Sequence, residues 1–218
     1  MKINREMIVR SALKLLNEVG LEQLTLRLLA IQLKVQAPTL YWHFPSKEAL
    51  LDEMATVVLA DGAGNLLPPR KQAEWKAFAA TFGQGMRKTL LAYRDGARMI
   101  SGTRLTNTEY METAERIGAK LIEAGFSTRQ GVVLLSTIYS YTLSFVMGEQ
   151  AVFPTPGNRS PQYDLEKRNS QLDPAKFPIL RQGGAIFFDR FDRRYKEGLD
   201  LILRGAEMQR IESGSRKL

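Results

Sequence analysis

The chain has 218 residues, of which 44% are hydrophobic, with no cysteine, one histidine and a formal net charge of +8. This length allows one large domain or a small domain followed by a larger one, and the lack of cysteine excludes disulfides and thiol chemistry. The first 20 residues do not resemble a signal peptide, and no run approaches 18 apolar residues. We therefore expect no membrane span and a cytoplasmic location. The basic net charge favours binding to polyanions such as nucleic acid.

The first two elements are predicted to be helices. Apolar residues at helical spacing indicate a helix that Asn4 caps and Gly20 stops, and Thr25 is a plausible cap for a second helix. Lys34 and Val35 form the following turn. Residues 1–47 carry seven basic and three acidic side chains, so half of the net charge lies in this segment.

A third helix is predicted over residues 36–44, with Pro38 tolerated in its first turn. Ser46 is placed to cap a fourth helix over residues 47–60. Later helical patterns are separated by a Pro-, Asn- and Ser-rich segment at 154–173, which is predicted to be a mobile loop in a position to cover a pocket. The pattern predicts an all-α fold, with further helices over residues 74–93, 95–101, 108–124, 127–152, 174–188 and 189–208.

The second and third helices have the pattern of a helix-turn-helix unit, whose second helix enters the major groove of DNA. Candidates for phosphate or sugar contacts are Thr25, Arg27, Tyr41, His43 and Lys47. Candidates for base-edge contacts are Gln36, Ala37, Pro38 and Thr39. The alternative is that the aromatic residues are core side chains. We expect Tyr41 to contact DNA and Trp42 to be partly buried.

The same residues resemble the tetracycline-repressor (TetR) family. The N-terminal pattern includes the segments 39–44 (TLYWHF) and 47–51 (KEALL), and the likeness to the tetracycline-responsive subgroup continues through 91–98 (LAYRDGAR), 102–104 (GTR) and 125–127 (GFS). The resemblance implies a homodimeric, ligand-released repressor with an all-α fold. It divides the chain into a DNA-binding domain over residues 1–47 and an effector-binding and dimerisation domain over residues 48–218.

One departure from the family lies in the predicted turn. The family has glycine where this chain has Lys34. Because that position often adopts a positive φ, which costs a residue with a Cβ some free energy, we expect a slightly strained turn with Lys34 directed at solvent or phosphate.

A second departure concerns the effector. Relatives that bind magnesium–tetracycline hold the metal with imidazoles, but the only histidine here is His43, in the DNA head. The family's metal-ligand positions correspond to Ile100, Ala63 and Gly148, the last being next to Glu149. We therefore expect no metal, no cofactor and no recognition of magnesium–tetracycline, although a carboxylate-only magnesium site is left open.

An apolar or aromatic effector is expected instead. The predicted pocket contains Phe82, Met86, Ile100, Thr103, Arg104, Val132, Leu135, Tyr139 and Met147. Arg104 is one of four candidate polar anchors, together with Asn107, Glu109 and Glu115. The alternative is that the apolar members only pack the core.

Two long helices are expected to pair with their counterparts in a second chain as a four-helix interface. The candidates are Thr137, Tyr141, Leu143 and Phe145 on the first helix, and Leu199, Ile202, Leu203 and Ala206 on the second. The alternative for each residue is burial within one chain.

The function predicted from the sequence is a ligand-released repressor that binds a palindromic operator as a dimer. Helix 47–60, the corner at 94–96 and Gly102–Thr103 are where coupling between the domains is expected. An enzyme is not expected, because a Ser/His/Asp or Cys/His system needs a histidine outside the DNA head. A family activator, or a DNA-binding regulator without an effector, remains the alternative.

Overall fold

The computed structural model of the protein describes residues 3–68, 74–104 and 109–215. Within these ranges every regular element is helical, apart from an isolated bridge between Thr155 and Asn158. This confirms the predicted all-α fold. The helices are α1 Arg5–Gln23, α2 Leu26–Leu33, α3 Ala37–His43, α4 Lys47–Gly62, α5 Trp75–Leu91, α6 Gly96–Ser101, α7 Glu109–Glu123, α8 Thr128–Val152, α9 Leu165–Ser170, α10 Pro178–Phe188 and α11 Phe191–Ser215.

The predicted helix caps are confirmed by their hydrogen bonds. The side chain of Asn4 accepts from the Met7 N–H at 2.8 Å, which satisfies one of the free donors at the start of α1. Thr25 accepts from Leu28 at 3.1 Å and Ser46 from Ala49 at 3.2 Å. Ser127 and Gln130 form a reciprocal capping box at the start of α8.

One boundary differs from the predictions. Gly20 interrupts the first helix as predicted, because its φ of +81° and ψ of +170° are non-helical, and only a short helical turn to Gln23 follows this kink. The segment 154–173, predicted to be a loop, contains a short 3-10 turn over Pro161–Tyr163 and the helix α9. Asp164 caps α9 by accepting from the Lys167 N–H at 2.8 Å, a local signal that the composition of the segment obscured.

Helix α8 is the central helix of the larger domain, and it packs against α5, α6, α7 and α11. Its buried side includes Leu134, Ile138 and Val146, whereas Val132 and Val133 are exposed. By length and composition alone α8 could cross a membrane. Its packing in the domain accounts for that apolar character without a bilayer.

Candidate functional site

The turn between α2 and α3 has the predicted backbone. Lys34 is exposed, has φ of +55° and ψ of +42°, and donates its N–H to the Ile31 carbonyl at 3.1 Å. A residue with a Cβ pays a small free-energy cost in this left-handed region. The expectation of positive φ without glycine is therefore confirmed.

Helix α3 buries only one side. Leu40 and Phe44, four residues apart, are fully buried in the head, and Tyr41 is 47% exposed. The expectation that Trp42 is partly buried is wrong, because its side chain is 82% exposed. Trp42 follows Leu40 by two residues, so its side chain points away from the face that Leu40 and Phe44 share.

Most of the predicted DNA-contacting residues are exposed on the surface of the head. The exposed residues of this set are Thr25, Arg27, Gln36, Pro38, Thr39 and Tyr41, while Ala37 and His43 are half-buried. Lys47 is differently placed: its ammonium group donates to the Leu21 carbonyl at 2.7 Å. A contact between Lys47 and a DNA phosphate stays a prediction, and it would compete with the hydrogen bond to the Leu21 carbonyl.

The corner between α5 and α6 is bonded directly to the C-terminal part of α1. The carboxylate of Asp95 accepts from the Leu21 N–H at 2.9 Å, and the side chain of Asn17 accepts from the Arg94 N–H at 2.8 Å. Gly20 passes so close that a Cβ there would lie 3.0 Å from the Asp95 carboxylate. This head–body joint covers the predicted coupling corner at 94–96.

A cavity of about 750 Å³ lies in the body between α5, α6, α7 and α8. We call it the effector cavity. Six of the predicted pocket residues line it, namely Phe82, Ile100, Thr103, Val132, Leu135 and Tyr139. Of the other candidate anchors, Glu115 also lines the cavity, Asn107 lies outside the described residues, and the Glu109 side chain is not among those described.

Three predicted pocket residues lie elsewhere. Met86 is completely buried in the core, one helical turn from Phe82. Met147 lies on the exposed side of α8, beyond the part of that helix that lines the cavity. Arg104 donates its backbone N–H to Asp52 at 2.8 Å and is not in the cavity wall.

The predictions missed most of the wall that α7 supplies. Apolar side chains three or four residues apart place one face of this helix in the cavity: Met111, Ala114, Ile117, Gly118 and Ile122. Leu59 on α4 also lines the cavity. The helix that connects the DNA head to the body therefore borders the cavity.

The predicted dimer residues fall into two groups. Tyr141, Phe145, Leu199 and Leu203 pack within the single chain, as the alternative proposed. The hydroxyl of Tyr141 donates to the Tyr195 carbonyl at 3.1 Å, and its ring stacks on Tyr195 with 5.3 Å between centroids. Thr137 is exposed, and the remaining candidates, Leu143, Ile202 and Ala206, are half-buried. Exposed apolar side chains on the same two helices include Val133, Leu201 and Met208.

The geometry defines a class: a small helix-turn-helix head, whose second helix exposes its outer face, joined to a helical body with a ligand-sized cavity. Comparison with known proteins agrees. Residues 8–54 match the family model for bacterial regulatory proteins of the tetR family, and residues 67–210 match the tetracyclin repressor-like C-terminal domain. The chain belongs to the TetR family of DNA-binding, ligand-responsive transcriptional repressors.

Individual relatives extend the comparison over almost the whole chain. The class A tetracycline repressor from Escherichia coli transposon 1721 is 38% identical over 212 residues, covering 96% of this chain and 93% of the relative. A solved structure of a possible TetR family regulator from Streptomyces coelicolor A3(2) has a TM-score of 0.83 at 32% identity, covering 94% of this chain and 99% of the other.

A second solved structure carries a ligand. It is TetR class A in complex with 5a,6-anhydrotetracycline and magnesium, with a TM-score of 0.68 and 34% identity, covering 95% of this chain and 99% of the other. These relatives are transcriptional regulators rather than enzymes.

Proposed function

We propose that this protein is a homodimeric cytoplasmic repressor that a mainly apolar or aromatic effector releases from a palindromic operator, and that magnesium–tetracycline is not that effector. Residues 1–47 read DNA, and residues 48–218 bind the effector and the second subunit. The observation that carries the proposal is the effector cavity, whose wall is mostly apolar and contains Ile100 at the family's metal-binding position.

The residues at the metal-ligand positions that the resemblance implies do not suit a chelated magnesium ion, because Ile100, Ala63 and Gly148 offer no side-chain ligand atoms. The neighbouring acid, Glu149, is bound by the Arg87 guanidinium at 2.7 and 2.9 Å. Among the described residues no group of three or more His, Cys, Asp or Glu side chains could hold a metal.

The polar groups of the cavity suit a ligand held by hydrogen bonds. Burial raises the pKa of Tyr139, so its hydroxyl stays neutral and able to donate across the physiological range. Glu115 is the only charged side chain among the described lining residues. A flat apolar molecule with one acceptor for the Tyr139 hydroxyl and one donor for the Glu115 carboxylate would satisfy both.

A route from the cavity to the DNA head runs through two helices. Leu59 places α4 in the cavity wall, and Ile100 and Thr103 do the same for the C-terminal end of α6. The other end of α6 follows Asp95, which holds Leu21 of the head. A ligand that binds better when these helices have shifted would therefore change the spacing of the two heads in a dimer.

Calorimetry with magnesium and tetracycline tests the effector proposal. We expect no binding at micromolar concentrations, because the only histidine of the chain is His43 in the DNA head, and Glu149, the acid next to the family's metal-ligand position on α8, is bound by Arg87. The class A tetracycline repressor, titrated in parallel, is the positive control. Micromolar binding that disappears when magnesium is chelated would refute the exclusion of this ligand.

The DNA contacts are tested by binding-site selection with three variants. Arg27→Ala should weaken all duplexes alike and reduce the slope of log affinity against log salt by about 1, since one phosphate contact is lost. Thr39→Ala should instead change the preferred bases. Lys14→Ala, which removes an exposed charge of α1, is the control for net charge. The contact assignment is wrong if Arg27→Ala and Thr39→Ala change binding in the same way.

A further inference from the structure

A separate cavity of about 410 Å³ lies between the C-terminal half of α8, the end of α10 and the start of α11. We call it the α10–α11 cavity. It shares no lining residue with the effector cavity. Its wall contains one charged side chain, Arg194, and six aromatic side chains, which are Tyr141, Phe145, Tyr163, Phe187, Phe188 and Phe191.

The guanidinium of Arg194 is surrounded by aromatic rings. Its central carbon lies 4.5 Å from the ring centroid of Phe145, 4.4 Å from that of Phe187 and 5.0 Å from that of Phe191. Such contacts attract a cation, but they satisfy none of its N–H donors. Burial lowers the pKa of Arg194, as expected of a charge removed from water.

Arg194 also lacks a counter-ion. Within residues 3–68, 74–104 and 109–215 no carboxylate lies within 4.0 Å of it. In the same part of the chain its Nε–H is buried without a hydrogen-bond partner. A buried donor left unpaired costs about 1–3 kcal/mol, more when it is charged, so an acceptor placed at this Nε–H would be stabilising.

The neighbouring Arg87 shows that this region can supply counter-ions. Arg87 contacts the other side of the same aromatic cluster, with its guanidinium carbon 5.2 Å from the Tyr195 ring. It is bound by Glu149 and by Asp192, the latter at 2.7 Å. Burial alone would lower the pKa of Arg87, but these hydrogen bonds outweigh burial and raise it. Of these two half-buried arginines, Arg87 therefore has two carboxylates within hydrogen-bonding distance, and Arg194 has none within 4.0 Å among the described residues.

We propose that the α10–α11 cavity is a second ligand site, which takes a small planar aromatic carboxylate with Arg194 as its anchor. A carboxylate can accept two parallel hydrogen bonds from a guanidinium, and one of its oxygens would supply the acceptor that the Arg194 Nε–H lacks among the described residues. An aromatic body stacks or packs edge-on against the surrounding rings. Because the cavity joins α8 to α11, the ligand would act on the two helices that are candidates for subunit pairing.

Titration of the intact protein with 2-naphthoate tests this site, with 2-naphthamide as the neutral probe of matching shape. We expect the carboxylate to bind about tenfold more tightly than the amide, and Arg194→Met to remove that preference. Arg194→Lys keeps the charge but loses the planar fork, so it should recover part of the preference, which a folding defect would not allow.

Two control variants locate the effect. Arg193→Met removes the same charge one residue away, from a side chain that is exposed and paired with Glu197 at 2.7 Å, and it should leave binding unchanged. Val132→Trp narrows the effector cavity, where a flat aromatic probe would also fit, and it should leave the preference for the carboxylate over the amide unchanged. Equal affinity for carboxylate and amide, an equal loss of the preference in both arginine-to-methionine variants, or loss of the preference in Val132→Trp would overturn the proposal. So would no binding at about 1 mM, the result expected if a second subunit fills the cavity.

Discussion

Replacing Gln150 with leucine should lower the free energy of unfolding by about 2–4 kcal/mol. Gln150 is a buried side chain of α8 that serves three backbone groups at the corner between α5 and α6. Its oxygen accepts from the Ala97 N–H at 3.2 Å, and its nitrogen donates to the carbonyls of Tyr93 at 2.7 Å and Leu90 at 3.3 Å. Leucine fills nearly the same volume, so the loss comes mainly from the Ala97 N–H left without its acceptor rather than from a cavity, since the Tyr93 carbonyl still accepts from the Gly96 N–H at 3.0 Å.

Urea denaturation followed by circular dichroism measures this difference. Gln182→Leu is the matched control, because it makes the same chemical change at an exposed position of α10. We expect its effect to stay within about 0.5 kcal/mol of the parent protein. A Gln150→Leu variant as stable as Gln182→Leu would mean that the corner between α5 and α6 does not depend on these hydrogen bonds.

The local features of the DNA head could be predicted from sequence because short-range chemistry determines them. Asn4, Thr25 and Ser46 cap their helices through bonds that span three residues, and Lys34 occupies a turn whose backbone geometry the family pattern implies. Trp42 could not be placed in the same way. Helix α3 has only seven residues, too few for apolar spacing to show which side faces the core.

The cavity was predicted on three helices and missed on the fourth. The family pattern pointed to α5, α6 and α8 but placed no apolar residue of α7 in the pocket, although the spacing of Met111, Ala114 and Gly118 already indicated an apolar face. For α8 the difficulty is different. Apolar residues lie on several of its sides, so periodicity could not separate Phe145, which packs within the chain, from Val133, which is exposed.

The ion pairs around Arg87 could not be predicted from the sequence. Its partners Glu149 and Asp192 are 62 and 105 residues away along the chain, and only the packing of α5, α8 and α11 brings them together. The same packing leaves the Arg194 Nε–H without a hydrogen-bond partner among the residues that the structure describes. A charge count of the sequence gives no sign that one of two neighbouring arginines lacks a carboxylate.

Replacing Asp95 with alanine should weaken operator binding about tenfold while leaving the body folded. The Asp95 carboxylate accepts the Leu21 N–H at 2.9 Å, and the Lys47 ammonium group holds the carbonyl of the same residue at 2.7 Å. Leu21 is therefore fixed from both sides, by the body and by the start of α4. Without Asp95 the head can rotate relative to the body. Two heads whose orientation is not fixed lose more conformational entropy when they bind both half-sites of an operator, so the affinity falls.

Glu22→Ala provides the matched control for Asp95→Ala. Glu22 and Asp95 both pair with the Arg98 guanidinium across the head–body joint, at 3.1 and 3.5 Å, so either change removes one acid from the same cluster. Only Asp95 also accepts the hydrogen bond from the Leu21 N–H, whereas the Glu22 side chain is largely exposed. Affinity for a selected operator at fixed salt should fall with Asp95→Ala and change less than about twofold with Glu22→Ala. If both variants lose affinity equally, operator affinity depends on the charge of the joint rather than on the hydrogen bond to Leu21. Coupling through this corner would then have to be assigned to Arg98.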